Sequence, residues 1–140
     1  MSLNDASTPF GARAERRLRE ERIGWLVTVR ADGTPQPSPV WFLWDGETIL
    51  LFSQPGTQKL RNIGRNPRVA LHLDSDGKGG DIVVVTGEAR VVEEELPAYL
   101  VPEFVEKYGW GFERLRFTAE EFSARYSVPV RIRATGLRGH

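Results

Sequence analysis

The sequence predicts a mainly β, α+β fold: a small barrel of six antiparallel strands with short helices packed around it. Three observations predict it. Asp32-Gly33 and Asp45-Gly46 each separate apolar runs, the strongest short signal for a tight hairpin. Val40 to Trp44 and Thr48 to Ser53 are apolar at successive positions, so both of their faces must be covered. The strands follow one another through tight turns, without the regular strand–helix alternation of a βαβ fold.

Along the chain, Phe10 to Arg22 reads as a helix with an apolar stripe at Phe10, Ala14 and Leu18. Its basic run (Arg16, Arg17, Arg19) is interleaved with Glu15, Glu20 and Glu21, the pattern of a solvated face. Gly24 to Arg30 is the first strand. The second runs to Trp44, and its first half carries Pro35, Pro37 and Pro39, which marks an edge or bulged segment. Thr48 to Ser53 is the third. Gln54-Pro55-Gly56 turns into a short helix, Thr57 to Asn66, stopped by Asn66-Pro67. Arg68 to Leu73 is the fourth strand, Asp74 to Gly80 a loop, and Asp81 to Val92 the fifth strand with a bulge expected at Gly87. Glu93 to Tyr108 reads as a helix striped by Leu96, Leu100, Phe104 and Tyr108, which Pro102 should kink or split. Thr118 to Glu121 is a capping box with Phe117 and Phe122 as its staple, so a last helix starts there. Ser127 to Ala134 alternates Val128, Val130 and Ile132 with arginines: a sixth strand with one buried face. One domain is expected over residues 1–140, with 1–9 flexible.

Composition excludes several chemistries. Lys+Arg and Asp+Glu are both 19, without the basic excess of a dedicated nucleic-acid binder. With no cysteine there is no disulfide, thiol nucleophile or thiolate metal site. The two histidines, His72 and His140, lack ligand spacing, so no metal site is expected. No apolar run approaches a membrane span, and Met1 to Arg13 lacks a signal core, so a cytoplasmic location is expected. The serines lack a nucleophile-elbow context, and no Gly-rich phosphate loop of the Walker or dinucleotide type is present.

Two features carry chemistry. In Phe52 to Leu60 a strand ends in Ser53 and Gln54, turns through Pro-Gly, and enters a helix with Thr57 and Lys59 in or beside its first turn. A helix start offers free N–H groups and partial positive charge, so a hydroxyl and a lysine there can hold a phosphate. The alternative is an ordinary Thr57 cap with Lys59 and Arg61 in solvent. Trp25, Trp41, Phe42, Trp44 and Trp110 can be core, or can wall a slot for a flat conjugated ligand.

The order of these pieces resembles the pyridoxamine 5′-phosphate oxidase-like split β-barrel flavoproteins. The segments that carry the resemblance are Thr28 to Gly33, Pro39-Val40-Trp41-Phe42, Leu51-Phe52-Ser53, Lys59-Leu60-Arg61-Asn62 with Asn66-Pro67, and Val85 to Ala89. The ending, Tyr126 to Arg133, resembles the branch that uses the deazaflavin coenzyme F420. The resemblance implies a homodimer with the cofactor at the subunit interface. It implies that Thr57, Gln58 and Lys59 hold the cofactor phosphate, with Ser53 and Gln54 adding phosphate or ribityl contacts. It places Val40, Trp41 and Phe42 along the tricyclic ring, and has the other subunit's last strand offer Arg131 or Arg133. The oxidase proper carries an arginine where this chain has Gln58, and its substrate-binding C-terminal Trp and Arg have no match. Hydride transfer between F420 and an organic acceptor is therefore the leading expectation. An FMN-dependent reductase or oxidase, or a non-catalytic flavin or haem-like binder, are the alternatives. Apolar strand surface in excess of one barrel interior is a second reason to expect a dimer.

Overall fold

A computed structural model describes residues 3–140. Its order is α1 (Pro9–Glu20), β1 (Gly24–Val29), β2 (Pro35–Val40), β3 (Leu43–Trp44), β4 (Thr48–Ser53), α2 (Gln58–Arg65), β5 (Arg68–His72), β6 (Val83–Val91), a 3-10 turn (Ala98–Leu100), α3 (Pro102–Leu115), α4 (Ala119–Arg125) and β7 (Val128–Gly139). Of the segment expected to be flexible, Met1 and Ser2 lie outside the described residues. Asn4 to Thr8 turn back on α1, with Asn4 Nδ2 donating to Gly11 O and Thr8 Oγ1 capping Gly11 N–H.

The strands form one antiparallel sheet in the order β2-β1-β5-β6-β7-β4-β3. That is seven strands, not six. The expected second strand is two, and the reason lies in the topology. β2 and β3 occupy opposite edges of the sheet yet are joined only by Trp41 and Phe42. A two-residue link between opposite edges requires the sheet to roll until those edges meet, which gives the split-barrel form. The chain changes edge at the link and cannot stay in one ladder. The prolines sit on the edge strand as expected, all exposed and all at alternate positions of β2. The ladder to β1 is left to Gln36, Ser38 and Val40.

Both faces of β4 are covered, each by a different core. Ile49 and Leu51 point into the barrel with Leu18, Leu26, Phe42, Leu71, Val85 and Ile132. Leu50 and Phe52 point outward against Phe104, Tyr108, Phe112 and Phe122 of α3 and α4. The chain's own helices thus cover this second apolar face, so the surplus on β4 does not itself call for a second copy. The register breaks where expected, between Thr86 and Gly87, but the extra residue is on the facing strand: Thr86 pairs with Gly136 and Gly87 with Ala134, so Thr135 of β7 is the bulged residue. A Cβ at Gly87 would lie 2.5 Å from Arg133 O, so only glycine fits that crossing of β6 and β7.

The expected helix over Glu93 to Tyr108 is not continuous. Pro102 occupies the first turn of α3, where proline is tolerated, and the chain before it makes only the 3-10 turn. The stripe divides accordingly: Phe104 and Tyr108 are fully buried, while Leu96 and Leu100 are about half exposed. α4 begins on the expected capping box, with both reciprocal bonds formed. β7 buries Val130 and Ile132 as expected, but it also buries Pro129 and leaves Val128 half-buried, and it continues to Gly139. Among the described residues no helix is long and apolar enough to cross a membrane.

Candidate functional site

Three structural lines converge beside the Trp41-Phe42 link. β2 ends in Pro39 and Val40, β4 ends in Phe52 and Ser53, and α2 begins with Gln58 and Lys59. Of these, Pro39, Val40, Phe52 and Lys59 line a pocket of about 290 Å³ with Trp41, Ile23, Leu115, Phe122 and Tyr126. Its walls are apolar and aromatic. Its one charged lining group is Lys59, which is half-buried, and burial lowers its pKa. Among the described residues its ammonium has no hydrogen-bond or ion-pair partner. A desolvated, unpaired cation at the side of an aromatic pocket is costly unless a ligand anion answers it.

Of the residues named from sequence, the structure brings Val40, Trp41 and Lys59 into this pocket. Ser53 and Thr57 adjoin it. Ser53 is buried, its Oγ donates to Gln54 O at 2.8 Å, and it lies 3.1 Å from Thr57 Oγ1. Thr57 occupies the N-cap position of α2 but makes no side-chain cap bond, so the first N–H groups of that helix have no capping side chain. Gln54 is exposed. Phe42 stands apart: its ring is fully buried in the barrel core, and its backbone is already engaged. Phe42 N–H donates to Tyr108 Oη at 2.8 Å, and Phe42 C=O accepts from Lys107 Nζ at 2.8 Å. Its N–H is therefore not a free donor toward a ring. Arg131 and Arg133 lie on β7, away from this pocket in the same chain. Arg131 bonds Thr48 Oγ1 and pairs with Glu95 and Asp45. Arg133 is exposed and pairs with Glu88.

A larger cavity of about 860 Å³ lies between α1, β3 and α3, with Arg131 and Lys107 in its lining. It is polar, and acids and bases both line it: Glu103 and Glu106 stand beside Arg19 and Arg22. The smaller pocket is where the expected site residues meet.

Sequence reasoning missed the groups that hold the pocket wall. Trp41 is sandwiched between Tyr108 (centroids 4.7 Å apart, planes 8° apart) and Phe122 (5.3 Å, 17°), and only part of its ring reaches the pocket. Tyr108 Oη also donates to Arg22 O at 2.7 Å, so one buried hydroxyl ties the link to the connection between α1 and β1. Burial raises its pKa, and it stays a neutral phenol. Gly111 lets Trp41 lie against α3, because a Cβ there would fall 2.4 Å from the Trp41 ring. Gly111→Ala is expected to displace Trp41 and destabilise the fold by about 1–3 kcal/mol, less whatever the better helix former returns. The check is a urea midpoint together with tryptophan emission. An unchanged midpoint and spectrum would show that the wall is not held this way.

Lys107 also lies 4.0 Å from the Phe42 ring centroid. Burial lowers its pKa to about 8 against an opposing pull from Glu21. Below pH 8 the folded and unfolded states are both charged here, and the burial penalty is fully present. Between about 8 and its ordinary 10.5 the folded state loses its proton first, so this group's contribution to stability rises with pH. A midpoint near 8 is expected for Lys107 in an NMR titration of methylated lysines. A midpoint above 10 would contradict it.

The family model for pyridoxamine 5′-phosphate oxidase matches residues 10–136 of the 140. The chain belongs to the pyridoxamine 5′-phosphate oxidase family. Solved structures agree with the split-barrel fold of that family. One named F420 reductase is 29% identical, covers 89% of this chain and 94% of its own, and superposes with a TM-score of 0.67. A conserved hypothetical protein of Mycobacterium tuberculosis is 28% identical over 91% of this chain and 81% of its own, with a TM-score of 0.67. A protein of Mesorhizobium loti named as FAD-binding is 24% identical over 90% of each chain, TM-score 0.65, and supports the fold alone. The oxidase family binds flavin-type cofactors, and the residues present fit such a group. The pocket offers aromatic and aliphatic walls for a flat ring system and an unpaired ammonium for an anionic tail.

Proposed function

We propose that this protein is an oxidoreductase whose cofactor is the deazaflavin F420, held in the Val40–Trp41–Lys59 pocket, and that it exchanges hydride with a small organic acceptor. The observation that carries the reading is Lys59, an unpaired and partly desolvated cation in an otherwise apolar, aromatic-walled pocket. The 29% identity to a protein named F420 reductase, over nearly the full length of both chains, supports this cofactor among the flavin-type ones. When bound, the cofactor supplies the redox-active ring carbon; the chain supplies binding, orientation and exclusion of water. Lys59 and the first turn of α2 would take the anionic tail, with Ser53, Gln54, Thr57 and Gln58 beside it. Val40 and Trp41 would flank the ring. Tyr108, through Trp41 and Phe42, would keep that wall in place.

The protein is proposed to work as a homodimer. At about 290 Å³ the pocket falls just below the ~300–1,000 Å³ usual for pre-formed ligand sites, so a second copy would complete it. A half-exposed apolar strip on the sheet (Trp25, Val27, Val29, Ala70 and Val84) gives such a copy a surface. Arg131 or Arg133 of that copy could then reach the cofactor. The light-scattering mass should be that of two chains, and the mass of one chain would remove the dimer.

The deciding experiment is equilibrium titration of the purified protein with F420 and with FMN. Micromolar F420 binding, tighter than FMN, is expected. No binding of F420 at that concentration, with tight FMN, would transfer the reading to an FMN enzyme. Tight cofactor binding without turnover on any acceptor would make the protein a carrier.

A further inference from the structure

The polar side chains of α2 nearest the pocket divide into one that is free and others that are committed. Lys59 is free. Arg61 is not: its Nη1 donates to Gly56 O at 2.7 Å and its Nη2 to Gln58 Oε1 at 2.8 Å. Gln58 is fixed in turn, because its Nε2 donates to Asn62 Oδ1 at 2.8 Å. Asn62 is fully buried and anchored to the sheet, its Nδ2 donating to Thr28 Oγ1 at 3.0 Å and to Gln36 Oε1 at 2.9 Å.

Each bond of this relay dictates the next. The Arg61 guanidinium can only donate, so Gln58 must turn its Oε1 to Arg61 and its NH₂ to Asn62. Asn62 Oδ1 accepts from that NH₂, which leaves the Asn62 NH₂ to donate to Thr28 and Gln36 on the sheet. The relay runs from the sheet to the surface and commits both Gln58 and Arg61 to the helix itself.

We infer that α2 gives the anion subsite of this pocket a single positive charge, and that the Asn62–Gln58 relay sets this by withholding Arg61. The cofactors it selects are those with a singly charged phosphodiester over those with a terminal phosphate. A phosphomonoester carries about −1.5 to −2 at pH 7. Against one ammonium, the remaining negative charge would be desolvated without a partner. A diester leaves no such remainder. This inference rests on the reading that the pocket takes a flavin-type cofactor, but not on that cofactor being F420.

The test measures what a phosphate adds to binding, as the ratio of dissociation constants without and with it. Riboflavin against FMN reports the monoester, and the phosphate-free deazaflavin core against its 5′-methyl phosphodiester, which has the diester of F420 without the further acidic tail, gives the F420 ratio. Arg61→Gln, at an exposed position, should leave both ratios within threefold of wild type. Gln58→Lys, which adds a second cation, should raise the FMN ratio at least tenfold and leave the F420 ratio within threefold. Thermal melts confirm that each variant is folded, and Arg61→Gln alone decides if Gln58→Lys is not. A tenfold fall in either ratio for Arg61→Gln would show that Arg61 is a ligand and overturn the inference. So would Gln58→Lys raising both ratios alike, or neither. If F420 fails to bind while the FMN ratio responds as stated, the F420 reading falls and the inference stands. If F420 binds and the ratios do not respond, the reverse holds. If no flavin-type ligand binds, both fall.

Discussion

Asn62→Ala is expected to lower stability by about 2–4 kcal/mol, because it removes a fully buried hub and leaves several polar groups without partners. The Asn62 amide serves Thr28, Gln36 and Gln58 at once, through three bonds of 2.8–3.0 Å. Alanine leaves the Gln36 carbonyl and the Thr28 hydroxyl facing a void, and α2 loses its polar tie to β1 and β2. Urea unfolding gives the measurement, and a loss below 1 kcal/mol would show that the hub is not a keystone of the fold. Asn62→Asp sharpens the test through pH. A carboxyl in this buried place has its pKa raised by desolvation above the unfolded ~3.9. Its penalty is therefore absent below that value, where both states are protonated, and grows as pH rises through the folded pKa. A variant equally unstable at pH 4 and pH 8 would contradict this.

Lys59→Ala is expected to weaken cofactor binding by roughly 1.5–3 kcal/mol, the range for a charge-assisted hydrogen bond. Among the described residues Lys59 has no partner to lose, and its burial already disfavours the charge. The fold should therefore be unharmed or slightly stabilised, with the loss confined to binding. Calorimetric titration of variant and wild type, with a urea midpoint for each, separates the two effects. Unchanged affinity would make Lys59 a bystander and remove the centre of the proposed site.

Much of this fold could be read from residues whose effect is local. The Asp-Gly turns, the prolines of β2 and the capping box at Thr118 each act within a few residues of themselves. The doubly apolar Thr48 to Ser53 was also legible, because two buried faces leave a pattern that does not depend on what covers them. What stayed hidden depends on partners distant in sequence. Nothing near Trp41 says that the chain there passes from one sheet edge to the other. Leu96 and Leu100 carry the right spacing for a packed helix, yet Pro102 starts a new one and leaves both half exposed. The place of Lys59 at a helix start, beside the aromatic segment, was legible. Its isolation was not, because that follows from the bonds that hold Gln58 and Arg61. Asn62 looks like any surface asparagine in a short helix until Thr28 and Gln36 are placed beside it. Tyr108 reads as one more residue of the helical stripe, and only the fold sets it and Lys107 on Phe42.

The link at Trp41-Phe42 also bears on the order in which the molecule assembles. β1 and β2 are joined by a short turn and can pair early, as can β5 with β6. β4 must wait for β7, since Thr48 finds Arg133 only near the far end of the chain. Closing so long a loop is the slow, entropically costly step. Until it closes, Phe52, α2 and the Trp41 wall have no common frame. The pocket should then be among the last parts to form and among the first to open, and a bound cofactor, by holding β2, β4 and α2 together, should slow unfolding more than it speeds folding.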